Sequence, residues 1–205
     1  MAKNYGIKDI ESWEFETLPL AEDWLNHLGD LNQGFRILIE GDPKNGKTEY
    51  LLKLCKELAL KVGKVNFNST EQGKSKSFKK AWIRNRMGDI PAGKFMLAEK
   101  SQKDFTVWYR KICQPNSGTT IVLDSADYMK LNFDQWKMMH ERFPQKNLIM
   151  VCWRINPFIK AFKHTMDTVI LVKDFKAYPV SRLGGNNTMV IWDKRTNVGQ
   201  QMLAL

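Results

Sequence analysis

Residues 35–48 read FRILIEGDPKNGKT, and this stretch decides the fold. Its first part, residues 35–40, is mainly apolar and has the pattern of a strand buried on both faces of a sheet. Its second part, residues 41–48, matches the pattern GxxxxGK[ST] in full. The glycines of that pattern let the backbone curl until successive N–H groups point at one anion. The stretch therefore predicts a strand, a phosphate-binding loop and the start of a helix.

The side chains of this loop have predictable roles toward a nucleoside triphosphate. The helix that begins at Gly46 directs the positive end of its dipole at the phosphates. Lys47 is expected to reach the β- and γ-phosphate oxygens, and the Thr48 hydroxyl to ligate Mg²⁺. The alternative to a phosphate-binding loop is a glycine-rich turn with a solvated lysine. The predicted cofactors are ATP and Mg²⁺, and the predicted nucleotide-binding residues are Gly41, Asp42, Pro43, Lys44, Asn45, Gly46, Lys47, Thr48 and Glu49.

Strand-like and helix-like segments alternate along the rest of the chain. Apolar residues at intervals of three to four predict a helix over residues 51–62. The alternation predicts an α/β fold with a mainly parallel central sheet flanked by helices. A turn-rich segment, residues 182–187, predicts antiparallel strands at the carboxyl end. Further strands are predicted at 65–68, 95–97, 120–124, 148–153, 168–172, 189–192 and 200–203, and further helices at 74–87, 102–113 and 132–143.

Length and composition predict one cytoplasmic domain. A chain of 205 residues fits one α/β domain with a lead-in segment, residues 1–30, before an ATPase domain, residues 31–205. No apolar run approaches the roughly 18 residues of a spanning helix, and the start lacks the apolar core of a signal peptide. The three cysteines form no CxxC pair, which argues against a structural zinc site and a disulfide framework.

Two carboxylates are candidates for the metal and for catalysis. The apolar run 121–123 ends in Asp124, which is expected to hold Mg²⁺ through water. Glu71 ends the segment 65–71, at the carboxyl end of a neighbouring strand, where parallel sheets gather their ligands. Glu71 is therefore a candidate base, and the alternative is a surface glutamate in a loop.

Four segments follow one another along the chain: 39–48, FNSTEQ at 67–72, VLDS at 122–125 and KHTMDTVI at 163–170. Their order resembles the RecA-like ATPase core of the RadA/Sms DNA repair proteins, within a group that includes DnaB-type helicases and KaiC-like ATPases. The resemblance covers roughly residues 28–200. It implies that Glu71 is the catalytic carboxylate and that the chain assembles into rings or filaments that act on DNA.

The chain departs from that family at several positions. It resembles a bare motor core, without the family's zinc finger and protease-like domain. Lys44 stands where the family usually has glycine, and Trp153, followed by Arg154, stands where relatives carry a polar γ-phosphate sensor. Arg195 matches an arginine that reaches the neighbouring subunit's ATP, which makes it a candidate catalytic residue, but Asp193 replaces the lysine of that pair. Nucleotide binding is unaffected, whereas efficient hydrolysis is in doubt.

The chain is basic, with 32 Lys and Arg against 22 Asp and Glu and a net charge of +10. Two stretches, residues 74–86 and 142–166, contain several basic residues, interleaved aromatics and no acid. This combination suits single-stranded DNA, whose phosphates pair with the cations while bases stack on the rings. For 74–86 a solvated helix face is an equally good interpretation. The predicted DNA contacts are Arg154, Lys160 and Lys163.

The leading interpretation is an ATP-binding, ATP-hydrolysing RecA-like protein that forms a homo-oligomer and acts on DNA. The first alternative is a nucleotide-dependent adaptor that recruits a protein partner and hydrolyses ATP weakly or not at all. The second is a small-molecule kinase, which would need an arginine-rich lid and an acceptor pocket that the sequence does not clearly contain.

Overall fold

One mixed β-sheet organises the molecule. The computed structural model describes residues 4–98, 104–153 and 161–192. The strands in them are β1 (Arg36–Glu40), β2 (Val65–Ser69), β3 (Phe95–Ala98), β4 (Thr120–Asp124), β5 (Asn147–Cys152), β6 (Thr168–Lys173), β7 (Lys176–Ser181) and β8 (Met189–Val190). They lie in the order β3-β2-β4-β5-β1-β6-β7-β8, parallel from β3 to β6 and antiparallel beyond. The predicted fold class is confirmed.

Helices cover the sheet, and polar caps define where several of them begin. The Ser75 hydroxyl accepts the Phe78 N–H and starts one helix, and the Asp104 carboxylate accepts the Val107 N–H and starts another. Such caps satisfy backbone donors that a helix cannot pair itself. The described helices are α1 (Ile7–Glu11), α2 (Glu22–Leu28), α3 (Lys47–Lys61), α4 (Lys76–Arg84), α5 (Phe105–Ile112), α6 (Ala126–Met129) and α7 (Phe133–Arg142), with a 3-10 turn (Met87–Asp89).

The core lies on both faces of the sheet because side chains alternate along each strand. On β1, Ile37 and Ile39 join a cluster formed with α2, α3 and α4, while Leu38 joins a cluster formed with α5, α6 and α7. Strands buried on both faces read as continuous apolar runs, which is why they were recognisable in the sequence.

The register brings the carboxyl ends of the parallel strands to one edge. Asp124 at the end of β4 lies beside Ser69 of β2 and Val151 of β5. Glu40 at the end of β1 lies beside Cys152 of β5. Loops that follow these strands therefore meet at one edge, which is where parallel α/β sheets bind ligands.

The two ends of the domain differ from the expectation in detail. The sequence did not predict β7, in which the inward positions are Ala177 and Pro179 while Tyr178 and Val180 point outward. Because the larger apolar residues are the exposed ones and a proline interrupts them, the sequence pattern does not indicate a strand. Pro179 is tolerated because β8 pairs only with the first two residues of β7. The predicted strand 189–192 is shorter, and the predicted strand 200–203 lies outside the described residues.

Two short helices precede β1, and residues from Leu18 to Leu31 contribute to the core. The division of the chain at residue 30 stays a prediction. Across the described ranges, no helix is both long and apolar enough to cross a membrane.

Candidate functional site: a nucleotide cleft

The predicted phosphate loop connects β1 to α3, and its glycines are required by close contacts. A Cβ on Gly41 would lie 2.2 Å from the carbonyl oxygen of Val172 on β6. Gly46 has φ +99° at the amino end of α3, and a Cβ there would lie 3.1 Å from the ring of Phe175. Larger residues would displace the loop from β6, so both glycines serve the geometry that the motif predicts.

Lys47 lies across the mouth of the loop. Its Nζ donates to the carbonyl oxygens of Gly41, at 2.6 Å, and Asp42, at 3.0 Å. Burial lowers the pKa of this amine, and the nearby carboxylates of Glu71 and Asp124 partly oppose that effect. A phosphate oxygen is a stronger acceptor than a carbonyl, so the amine can exchange these contacts for an anion held in the loop.

Asp124 is buried at the end of β4, and its environment disfavours the charged form. Burial, followed by the charge of Glu71, raises the pKa of Asp124 to about 7, against the smaller opposing effects of Lys47 and a hydrogen bond with Thr48. Its Oδ2 atom has no hydrogen-bond partner among the described residues. A buried carboxylate oxygen without a partner, beside a threonine hydroxyl, fits a Mg²⁺ ion, because hard cations prefer such oxygens.

Glu71 is held against Asp124 by the backbone between them. The N–H groups of Thr70 and Glu71 donate to the Asp124 carbonyl oxygen at 2.7 and 3.4 Å. The Thr70 hydroxyl accepts the Ser125 N–H at 3.0 Å and donates to the Ser125 carbonyl oxygen at 2.9 Å. Gln72 continues this segment and donates from Nε2 to the Thr48 hydroxyl oxygen at 3.3 Å. The segments after β2 and β4 are thus joined to the phosphate loop.

These residues line one cleft of about 500 Å³. The lining includes four residues that the sequence predicted to lie close together: Lys47, Thr48, Glu71 and Asp124. The catalytic and metal-binding roles themselves stay predictions.

The other wall of the cleft contains an aromatic and cationic cluster that sequence analysis missed. The Phe175 and Trp192 rings meet edge to face with centroids 5.5 Å apart, and the Arg84 guanidinium lies 5.3 Å from the Trp192 ring centroid. Arg84 also pairs with Glu49, which therefore points at α4. Phe175 is the second residue of the β6–β7 turn, in which Asp174 and Phe175 both have positive φ angles, and an aromatic residue in that turn was the available signal.

Trp153 also borders the cleft. Its backbone N–H donates to the Asp127 carboxylate at 2.9 Å, and its ring meets Tyr128 edge to face at 5.8 Å. Both aromatic side chains remain exposed. The position at which the sequence comparison expected a polar γ-phosphate sensor therefore presents an indole, which cannot accept a hydrogen bond, to the cleft.

The remaining predicted residues lie at several different places. Asn45 accepts the Asp174 N–H at 3.0 Å, which ties the phosphate loop to the β6–β7 turn. Lys163, a predicted DNA contact, instead forms an ion pair with Glu40, with Nζ 2.7 Å from Oε1 and 2.6 Å from Oε2. Asp42, Pro43 and Lys44 stay in the exposed part of the loop, whereas Arg154, Lys160, Asp193 and Arg195 lie outside the described residues.

Solved structures share this fold. The flagellar accessory protein FlaH of Methanocaldococcus jannaschii superposes with a TM-score of 0.60 at 15% identity, covering 84% of this chain and 89% of that one. A KaiC-like protein of Pyrococcus horikoshii superposes with a TM-score of 0.57 at 12% identity, covering 83% and 93%. The sequence matches no protein-family model and no curated protein. These comparisons support neither RadA/Sms in particular nor a role on DNA.

Proposed function

From a RecA-like, KaiC-like fold with this cleft, we infer that the protein binds ATP with Mg²⁺ and acts as a nucleotide-dependent adaptor. The observation that carries the proposal is the convergence of Lys47 and Thr48 with a buried Asp124 whose Oδ2 has no described partner. The three groups come from two distant segments of the chain. Such a cation, hydroxyl and carboxylate are what a metal–triphosphate complex requires.

Each group has a defined task in this proposal. Backbone N–H groups of the loop and the amino end of α3 bind the phosphates. Lys47 leaves the carbonyl oxygens of its own loop for the β- and γ-phosphates, and Thr48 and Asp124 hold the Mg²⁺ ion. The ion, when bound, supplies positive charge between the phosphates. Because the ionised form of Asp124 is disfavoured without a cation, metal binding and deprotonation of this carboxyl are coupled.

The nucleoside is proposed to lie against Phe175 and Trp192. These rings form the wall of the cleft next to Gly46, and a base can stack on an aromatic face. Aromatic stacking accepts any base, so this wall is proposed to bind a nucleobase of any kind. It does not identify the hydrogen bonds that would select adenine.

Slow hydrolysis distinguishes the adaptor from a motor. Glu71 lines the cleft, and we propose it as the catalytic carboxylate that orients a water molecule. The indole of Trp153 occupies the border where a polar group would assist the γ-phosphate. One structural neighbour, FlaH, is a flagellar accessory protein, and the adaptor proposal agrees with such a role.

A second candidate is an ATP-driven protein that acts on single-stranded DNA. The exposed basic residues on α4, next to the cleft, favour it. The pairing of Lys163 with Glu40 weakens it, because that cation is already neutralised and contributes less to phosphate binding.

The two candidates differ in their response to DNA. The adaptor should bind ATP with Mg²⁺, hydrolyse it slowly and show the same turnover with and without a single-stranded oligonucleotide. Lys47→Ala should weaken binding of a fluorescent ATP analogue by at least about tenfold, the scale of one charge-assisted contact. Lys61→Ala, at the far end of the same helix, is the matched control and should bind normally. Turnover that rises steeply with the oligonucleotide would establish the DNA-acting protein instead.

A further inference from the structure

The amino-terminal segment, residues 4–17, contains five large apolar side chains and yet lies outside the core. Its helix α1 buries none of its residues, and the chain enters the core only at Leu18. Ile7 is 77% exposed and Phe15 is 71% exposed. Contiguous apolar side chains that remain in water mark surfaces that bind something. The exposed apolar residues of the segment are Tyr5, Ile7, Ile10, Trp13 and Phe15.

The charge of this segment is opposite to that of the chain. Residues 4–17 contain one lysine and four acidic residues, a net charge of −3, in a chain with a net charge of +10. An apolar and acidic segment is best covered by a surface that is apolar and basic.

A surface of that kind lies on α4. Residues 74–86 contain six basic residues and no acid. Arg84 pairs with Glu49 and Arg86 with Asp89, whereas Lys79 and Lys80 are exposed and form no ion pair among the described residues. Ile83, in the middle of this basic surface, is 63% exposed. The basic α4 surface thus offers both cations and an apolar contact.

The two surfaces do not cover each other within one chain. Ile7 and Ile83 both remain exposed, so neither is buried by the other surface of the same molecule. They also start from opposite ends of the sheet, since α2, which follows the segment, contacts β7, whereas Phe78 of α4 packs on Phe67 of β2. Complementary surfaces at different places on one molecule allow head-to-tail contact between copies.

We propose that residues 4–17 of one copy dock on the basic α4 surface of a second copy. Ile7 and Ile10 pack against Ile83 and its surroundings, and the acidic residues pair with Lys79 and Lys80. The contact is head to tail, so each copy uses both surfaces and the assembly is a ring or a filament. A nucleic acid would neutralise the same lysines, but it would leave the apolar residues of the segment in water.

Self-association can be measured by sedimentation over a wide range of protein concentration. Ile7→Ser/Ile10→Ser and, separately, Lys79→Glu/Lys80→Glu should each weaken self-association by at least about tenfold, the scale of losing a central interface contact. One control is Val180→Ser, which removes a β-branched apolar side chain on β7 that is 73% exposed. The other is Lys111→Glu/Lys137→Glu, on the opposite face of the sheet. Both controls should associate like the wild type. Circular dichroism of every variant verifies that it folds.

A mixture of the two interface variants gives the sharper test. The Ile7→Ser/Ile10→Ser chain keeps an intact α4 surface, and the Lys79→Glu/Lys80→Glu chain keeps an intact amino-terminal segment. Each alone should be a monomer, and an equal mixture should form dimers and nothing larger, because only one productive contact can form per pair. High salt should weaken the dimer.

Three results would overturn the proposal. A wild type that stays monomeric at all concentrations means that no second copy occupies the segment. A mixture that stays monomeric means that the two surfaces do not meet. If Lys79→Glu/Lys80→Glu abolishes binding of a single-stranded oligonucleotide but leaves self-association unchanged, the basic α4 surface binds nucleic acid.

Discussion

The stability of the protein should fall as pH rises, because Asp124 is buried with a raised pKa. An aspartate in the unfolded chain titrates near 3.8, whereas the pKa of Asp124 in the folded protein is about 7. Between these values the unfolded chain is ionised while the folded protein keeps the proton. Folding then takes up a proton, so the free energy of unfolding decreases with pH in this window and is flat above it.

The magnitude follows from the two pKa values. A difference of about three pKa units corresponds to about 4 kcal/mol, of which roughly 3 kcal/mol falls between about pH 5 and about pH 8. Asp124→Asn keeps the shape of the side chain and cannot ionise, so the variant lacks this loss. The variant should therefore be close to the wild type in acid and clearly more stable than the wild type above neutrality.

The assay is urea denaturation at several pH values, in the absence of nucleotide and with divalent metal chelated. The quantity compared is the change in unfolding free energy with pH, so any constant difference between the side chains cancels. Asp30→Asn, which alters an exposed carboxylate before β1, is the control and should follow the wild type. Glu71→Gln should reduce the total loss in part, because the charge of Glu71 is the second cause of the raised pKa and its removal narrows the pH window.

Parallel curves for the wild type and Asp124→Asn would refute the reasoning. That result would mean that the carboxyl at the end of β4 is solvated or paired in the folded protein. The assignment of its unpartnered oxygen to a metal would then fall as well.

Three further predictions concern the cleft. Glu71→Gln should leave ATP affinity unchanged and reduce single-turnover hydrolysis by at least about a hundredfold, and normal hydrolysis would exclude it as the catalytic carboxylate. Gly41→Ala should lower the free energy of unfolding by about 1 to 3 kcal/mol in urea denaturation, because its Cβ would overlap the Val172 carbonyl, and a neutral effect would show that the loop is free to move. Trp192→Ala should weaken ATP binding about tenfold in calorimetry without affecting inorganic tripolyphosphate, as expected for a lost stacking contact, whereas equal losses for both ligands would place the indole at the phosphates.

The candidate site was predictable from sequence where its chemistry is local. The roles of Lys47 and Thr48 were predicted from eight consecutive residues, 41–48, whose spacing suits the binding of phosphate. Asp124 and Glu71 were predictable less directly, because Asp124 ends one strand, Glu71 follows the end of its neighbour, and parallel strands end at the same edge. The register pairs Ser69 with Asp124, and the Glu71 N–H donates to the Asp124 carbonyl oxygen at 3.4 Å.

The opposite wall of the cleft was not predictable in the same way. Arg84 belongs to a basic helix that reads as a solvated face, and its contacts with Glu49 and Trp192 join three distant segments. Lys163 likewise reads as a free cation in an acid-poor stretch. Its partner, Glu40, lies 123 residues earlier in the chain, so only the folded chain reveals the pair.

The sequence by itself determined the fold class and the phosphate loop, because continuous apolar strands, 3.6-residue periodicity and a glycine-bounded motif each act over a few neighbouring residues. Only the tertiary structure decided which charges are free, which carboxylate is buried and which aromatic rings border the loop. Those properties depend on desolvation and on contacts between segments far apart in the chain, and a linear pattern contains neither. The same reason applies to the amino-terminal segment, because the exposure of Ile7 and Phe15 becomes evident only in the folded chain.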